Sequence, residues 1–540
     1  MRITLLHGIH AVRDDGTPVK LQPRMRAVLL VLLVEGVNAP VSADRLLELV
    51  WGEQADDKHT LHNTMSKLRA RFGRDRIVRD PDVDGYRFVA GPGTHVDLWA
   101  WWRLLDVCTE MSRSDPYAAA FLWDRALGLW SPNSLTGLPG TIAMDALCHG
   151  LRRERLKAVE QKSEVRLSLG RHAQVAAELP ALVDRHPERE HLRELLMVAL
   201  YRESRPAEAR ELYRRLSERL RDDGGAQPLH ALQSLHERIH ANDPALLDVV
   251  PPALPAADLA VMRSGADVSM LSTARMWSAL VDEGPDGPDS YTTAADRAAA
   301  RFVQAITGAE LGRRQLENLQ YGDRFVRRAA VDHGIGRFLE LGAPVPSARF
   351  SLHRGARLAR QGTRFVYANP SGPLADHARE RLHGVEGVDF VQGGLDDPER
   401  LLAQPSVRAL FQLDLPPDER EPVAIIDRHN LNVTPDSLDP RSLYAALLDG
   451  LAPGSMLAVT AAAADCLSTQ VARYIEEVQR DAPEDEHLVL RGRERLAEIV
   501  PPGMEVLPPG VVDAFDLWAG PRPAGRPGGF SQFVVAAIKR

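Results

Sequence analysis

Apolar and polar positions in the first ninety residues change period several times, and each change predicts an element. Residues 3–21 alternate around Asp14-Asp15-Gly16, which predicts a small antiparallel sheet. Arg24 to Glu35 is nearly all apolar and predicts a buried first helix. Ser42 stands where a cap belongs, ahead of a short helix from Ala43 to Val50 with Leu46, Leu47 and Val50 on one face; Trp51-Gly52 ends it. Leu61, Met65, Leu68 and Phe72 then recur at the spacing of one buried helical face. Ile77–Arg79 and Tyr86–Val89 predict two short strands around a Pro/Asp/Gly turn, a wing beside that helix.

From Asp97 the period is helical. Asp97 is expected to cap a helix carrying Trp99, Trp102, Leu105 and Val107. Further helices are expected near 117–130, 142–170, 173–185, 188–202, 206–221 and 228–240. Residues 242–262 carry four prolines among Ala and Asp, the composition of a partly extended linker. Beyond it strands and helices alternate: Arg337–Gly342, Arg364–Tyr367, a helix at Pro373–Leu382, then Val388–Val391, Val423–Ile426, Ser455–Thr460 and Phe533–Ile538. That order implies a doubly wound parallel sheet with its ligand crevice beyond the carboxyl ends of the strands. The expected organisation is an α+β domain at 1–95, an all-α domain at 96–245, a linker at 246–265 and an α/β domain at 266–540.

Polarity and charge add chemistry to the third helix. Opposite its buried stripe fall His59, Asn63, Ser66 and Ala70, with Thr60 at its start and His62, Lys67 and Arg69 on the flanks. This small, polar, basic face suits a major groove about 12 Å wide. Between Lys58 and Arg79 seven Lys and Arg residues meet one acid, Asp75, in a protein of net charge −8. Arg71, and Arg79 and Arg87 on the wing, would approach the phosphates or the minor groove. The overall acidity does not exclude DNA, because attraction depends on local patches. Three widely separated cysteines argue against disulfides or a structural zinc, so no metal site is expected. Without a membrane-spanning apolar run or a secretion signal, a reducing cytoplasm is the expected compartment.

These stretches carry a resemblance. LLHGIHAVRDDGTPVKL, VSADRLLELVWGE, TLHNTMSKLRARF and GYRF resemble the winged helix-turn-helix of the Streptomyces antibiotic regulatory protein family of transcription activators. HPEREHLRELLMVALYRESRPAEARELYRRLSERL resembles that family's bacterial transcriptional activation domain, and its paired helices are similar to tetratricopeptide repeats. The resemblance implies binding to promoter direct repeats as a homodimer on DNA. It also implies that the acidic loop with Glu53, Gln54, Asp56 and Asp57 faces RNA polymerase holoenzyme.

The C-terminal stretches RFLELG, VYANPSGPLADHARERL, LDDPERLL and LDGLAPGSMLAVT are similar to an actinobacterial family of S-adenosylmethionine-dependent methyltransferases with a Rossmann-like fold. The likeness is weakest at the ligand positions. Where the family carries a Gly-Thr-Gly-like turn after the first strand, this chain has Gly342-Ala343-Pro344-Val345-Pro346, and a proline removes a donor and stiffens the loop. Asn369 replaces the acid expected to hold the ribose hydroxyls, and Gly394 the acid expected after the third strand. Asp427-Arg428-His429-Asn430 replaces an apolar run. Losing two carboxylate contacts would cost roughly 3–6 kcal/mol of cofactor binding. The expectation is a non-catalytic sensor or oligomerisation domain, without S-adenosylmethionine and possessing a crevice of Glu340, Gly342, Pro344, Asn369, Gly394, Asp427 and His429 for another small molecule. The alternative is a bifunctional regulator with an active methyltransferase.

Overall fold

The structure is a computed structural model of residues 1–540. It describes all of them except 14–15, 37–38, 53–57, 92–93, 223–224, 268–270, 281–290, 308–309, 347–350, 464–474, 477, 481 and 515–531; at 273–274, 307, 310–314 and 485 it describes the backbone alone. The chain divides into two compact units, Arg2–Leu254 and Pro255–Arg540.

In the first unit β1 (Arg2–Thr4), β2 (His10–Val12) and β3 (Pro18–Val19) form an antiparallel sheet, and β7 (His95–Val96) adds to β1 in parallel. Helix α1 (Pro23–Val34) opens on proline, whose missing N–H costs nothing at that position, and buries eight residues from Met25 to Leu33. Then follow β4 (Val41–Ser42), α2 (Ala43–Trp51) and α3 (Lys58–Phe72). The Ser42 hydroxyl accepts the Arg45 N–H at 3.2 Å, the cap the sequence predicts, and Gly52 closes α2 at φ 71°. β5 (Ile77–Asp80) and β6 (Gly85–Phe88) form the wing hairpin, and β4 pairs with β6 to close a three-stranded sheet.

Among the described residues eight α-helices follow: α4 (Asp97–Ser114), α5 (Pro116–Gly128), α6 (Ile142–Ser168), α7 (His172–Glu178), α8 (Pro180–Arg185), α9 (Glu190–Arg202), α10 (Pro206–Asp222) and α11 (His230–His240). The single helix expected over 173–185 is broken in two at Pro180, which has no N–H to continue the ladder. Asp97 is not a cap. Val96 holds that position, and the buried Asp97 carboxylate accepts the amides of Leu5 (2.8 Å), Leu6 (2.9 Å) and Leu98 (2.8 Å). The buried stripe of α4 runs through Leu98, Trp101, Leu104, Cys108 and Met111, leaving Trp99 and Trp102 half-buried beside it. The winged helix and the helical domain are therefore joined by an interface. Trp99 Nε1 donates to Leu33 O at 2.9 Å, Phe88 meets Trp99 edge to face, and Thr141 Oγ1 donates to Leu49 O at 2.5 Å.

The second unit begins earlier than the expected 266. Within the supposed linker lies α12 (Ala256–Arg263), whose buried Asp258 accepts Ala294 N at 2.9 Å and Arg297 Nη2 at 2.7 Å. Those partners are 36 and 39 residues away, so local composition does not reveal them. Next come α13 (Thr273–Ala279), α14 (Ala294–Thr307) and α15 (Glu310–Asp332). The sheet layer follows: β8 (Arg337–Leu341), α16 (Leu352–Ala359), β9 (Arg364–Asn369), α17 (Gly372–Leu382), β10 (Val388–Gln392), α18 (Pro398–Ala403), α19 (Pro405–Phe411), β11 (Ala424–Asp427), α20 (Asn430–Val433), α21 (Pro440–Leu448), β12 (Met456–Ala462), α22 (Arg493–Ile499), β13 (Met504–Val506), β14 (Val512–Asp513) and β15 (Gln532–Lys539).

The sheet order is β10-β9-β8-β11-β12-β15-β13, with β14 also on β15. Its first five strands are parallel. The last apolar strand, β15, runs antiparallel to β12, so the sheet is mixed rather than wholly parallel. A strand buried on both faces is a continuous apolar run in either direction, which hides its polarity in the sequence. One core layer gathers Phe325, Phe338, Phe365, Tyr367 and Phe390 under α15–α17; the other gathers Leu339, Leu341, Val366, Ile425 and Val459 under α19, α21 and α22.

Candidate nucleic-acid interface and candidate ligand crevice

Helix α3 buries Leu61, Thr64, Met65, Leu68 and Phe72. The opposite face presents His59, His62, Asn63, Ser66, Lys67 and Ala70 to solvent, with Thr60 partly covered at its start. The structure thus places the small polar positions in one row. The basic flank divides in two. Arg69 turns toward the wing, where its Nε donates to Ile77 O at 2.8 Å and its guanidinium lies 5.4 Å over the Tyr86 ring. Arg71 donates to Lys20 O, tying α3 to the N-terminal sheet. Arg87 on β6 is exposed.

At the wing turn Asp84, with φ 42°, accepts Lys58 Nζ at 3.0 Å and Arg79 Nη2 at 2.9 Å. These two cations hold its carboxyl below the usual range. The clamp joins the first residue of α3 to the hairpin, and nothing in the local sequence pattern pointed to it. Glu53, Gln54, Asp56 and Asp57 lie outside the described residues.

The crevice residues of the second unit come together at the carboxyl ends of β8, β9, β10 and β11. Gly342 leaves β8 at φ 65°, and a Cβ there would lie 2.5 Å from Asn430 N. A Cβ at Gly394 would lie 3.0 Å from Asn430 Oδ1. Glycine at both positions therefore lets two loops close on Asn430, whose Oδ1 is buried without a hydrogen-bond partner. Asn369 is engaged in both directions: its Nδ2 donates to Ala343 O and its Oδ1 accepts Ser371 N, each at 2.9 Å. Pro344 is partly exposed in the same loop.

The charged residues are bound inward. Asp427 is fully buried; its Oδ1 accepts Asn430 N at 2.8 Å and its Oδ2 accepts the Tyr444 hydroxyl at 2.7 Å, so it caps the turn into α20. Burial raises its pKa to about 6 against those hydrogen bonds. Glu340, also fully buried, pairs with Arg428 Nε at 2.9 Å and with Nη2. His429 is partly exposed, and burial together with Arg428 pushes its pKa down to about 3, so it is neutral at physiological pH. Asp427 and His429 do not form an acid/base pair: the carboxylate meets the His429 backbone N–H at 3.2 Å. Arg428, Asn430 and Tyr444 are site residues that the sequence pattern does not mark as such. The polar run 427–430 was the available signal for the first two, whereas Tyr444, seventeen residues on, had none.

Family comparisons coincide with these features. Residues 16–88 match the family described as transcriptional regulatory protein, C terminal, and residues 96–240 the bacterial transcriptional activator domain. Residues 260–537 match the S-adenosyl methyltransferase family. The regulatory protein DnrI of Streptomyces peucetius is 31% identical over 273 residues, covering 48% of this chain and 98% of DnrI. The chain belongs to the Streptomyces antibiotic regulatory protein family, with a C-terminal domain of the S-adenosyl methyltransferase family. The regulatory protein AfsR of Streptomyces coelicolor is 36% identical over 257 residues, 46% of this chain. The chain spans 25% of AfsR's length. A solved structure of a DUF574 family protein from Streptomyces avermitilis is 22% identical, covers 51% of this chain and 99% of its own, and has a TM-score of 0.44. Among the described residues no helix is long and apolar enough to cross a membrane, and no group of three or more metal-ligating side chains occurs.

Proposed function

We propose that this protein is a sequence-specific transcriptional activator. It binds promoter direct repeats as a homodimer through α3 and the wing, and it contacts RNA polymerase holoenzyme. The observation that carries the reading is the continuous exposed row His59, His62, Asn63, Ser66 and Lys67 on a helix whose other face is core. Such a row fits a major groove, where Asn and Lys read base edges. Membership in a family of transcriptional regulators supports it.

In the same reading the C-terminal domain is non-catalytic and acts on the rest of the chain as a small-molecule sensor or an oligomerisation module. The residues present do not fit S-adenosylmethionine. The side chain at the end of β9 is an amide already bonded to Ala343 and Ser371, and the glycines that bound the crevice close on Asn430. An anionic partner for the ribose hydroxyls is missing from positions 369 and 394. No methyl-transfer step is assigned to the domain.

The test is a footprint on a promoter carrying direct repeats spaced about 10–10.5 bp, one helical turn. Asn63→Ala and Lys67→Ala are expected to alter base preference within each repeat. Footprints and base preferences unchanged in both variants would remove α3 as the reading element.

A further inference from the structure

A second feature of the C-terminal domain meets the strand-end crevice at Arg428. Between α15 and α16 lies an open cleft of about 530 Å³, within the size range of small-ligand sites. Its charged lining is Asp323, Arg324 and Arg327 on α15, Arg354 on α16, and Arg428 at the end of β11. Asp323, the single acid of that lining, is held by Arg327 Nε at 2.6 Å. Arg428 is 1% exposed, and Glu340 takes its Nε and Nη2. Its Nη1 is buried without a hydrogen-bond partner, and so is Nε of Arg324, whose Nη2 donates to Ala514 O at 3.1 Å. A buried donor left unmatched is costly, and a guanidinium more so than an amide.

Glycine makes the arrangement possible. A Cβ at Gly322 would lie 2.9 Å from Arg428 Cδ, so this position on α15 is kept bare where the arginine passes beneath. Beside the polar Gln320 and Ser351, the rest of the wall is carried by leucines: Leu319 and Leu352 are buried, and Leu358 is 77% exposed at the cleft. Guanidiniums with unused donors beside these leucines match one ligand chemistry, a small organic acid with a carboxylate or phosphate head and an apolar body.

We propose that the α15/α16 cleft is the ligand site of this domain and that it takes a small amphipathic anion, its head on Arg324 and Arg428. The backbone gives such a ligand a route to the sheet. The Arg428 carbonyl accepts Thr460 Oγ1 at 2.9 Å, Asn432 Nδ2 at 3.2 Å and Asn318 Nδ2 at 3.4 Å, so a shift of Arg428 moves β12, α20 and α15 together. Only the effect on DNA rests on the sensor reading above; binding itself does not.

The experiment is calorimetry on the full chain with phenyl phosphate, benzoate and neutral phenol as probes. One of the two anions is expected to bind at least about tenfold more tightly than phenol, and the tighter one identifies the head group. Arg324→Gln is expected to weaken that binding by about tenfold or more with the melting temperature little changed. Because Arg428→Met alone would strand the Glu340 charge, the double variant Arg428→Met/Glu340→Leu is the second probe, and it too is expected to lose anion binding. Equal affinity for all three probes, or anion binding undiminished in both variants, overturns the site. DNA affinity is then measured with the anion saturating. Anion binding that leaves it unchanged supports this site and overturns the sensor reading.

Discussion

At the scale of single residues, basic side chains alike in the sequence have different work in the fold. Asn63 and Lys67 are exposed, so their alanine variants are expected to fold normally and to change discrimination by about 1–3 kcal/mol per base pair, read by competition binding against single-base operator variants. Arg69 is different. Its alanine variant loses the bond to Ile77 O and the contact over Tyr86, and is expected to destabilise the first unit by roughly 1–2 kcal/mol, measured by urea unfolding. A folded-state effect near zero would return Arg69 to a purely DNA-facing role. Asp97 has a pH signature. Burial raises its pKa from 3.8 to about 6 despite three backbone N–H donors. The native state therefore holds the proton more tightly than the unfolded chain does. Asp97's contribution is fully present below about pH 4 and is lost as pH rises through 6. Asp97→Asn is expected to abolish that part of the pH dependence between 4 and 6. It should also cost about 1–3 kcal/mol at neutral pH, since an amide cannot accept all three donors. Unfolding curves of both proteins across that window, with parallel pH dependence, would refute the assignment.

At the scale of elements, α3 and the wing are held together by Asp84, which pairs with Lys58 and Arg79, two of the basic residues that on the proposed reading would meet phosphates. Exposed pairs of this kind are weak, so DNA can compete for both cations. Asp84→Asn is expected to raise affinity for all sequences and to steepen the fall of log K with log salt by up to about 0.9 for each phosphate contact released. An unchanged salt slope would mean that Lys58 and Arg79 stay away from the backbone. The helical domain belongs to the same unit, since β7 completes the first sheet and Asp97 binds the amides of Leu5 and Leu6. A fragment of residues 2–254 is expected to melt cooperatively, bind the direct repeats and stimulate polymerase in vitro. A fragment ending at residue 95 lacks those bonds and is expected to be unfolded or nearly so by circular dichroism.

At the scale of the whole molecule, a regulator carries a domain of the S-adenosyl methyltransferase family, with Asn369 and Gly394 where acids are expected. On the reading proposed above, calorimetry with S-adenosylmethionine and S-adenosylhomocysteine is expected to give no binding below about millimolar, since loss of two carboxylate contacts would cost roughly 3–6 kcal/mol. Micromolar binding would instead favour a bifunctional enzyme. A ligand acting on DNA affinity need supply only the usual coupling of about 1–3 kcal/mol.

Local pattern by itself determined the elements whose cause is local: the Ser42 cap, the buried stripe Leu61–Phe72, the exposed row on α3, the wing strands and the succession of strands and helices after residue 330. It also exposed Asn369 and Gly394 where acids were expected, because a substitution in a motif is visible without coordinates. What the tertiary structure alone decided depends on partners distant in sequence. Asp97 looked like a cap until Leu5 and Leu6, more than ninety residues earlier, took its carboxylate. Residues 256–263 looked like linker until Arg297 and the Ala294 amide met Asp258. The direction of β15 and the pairing of Arg428 with Glu340 were equally hidden: an apolar run has no polarity, and a single arginine does not announce which of many carboxylates it will meet.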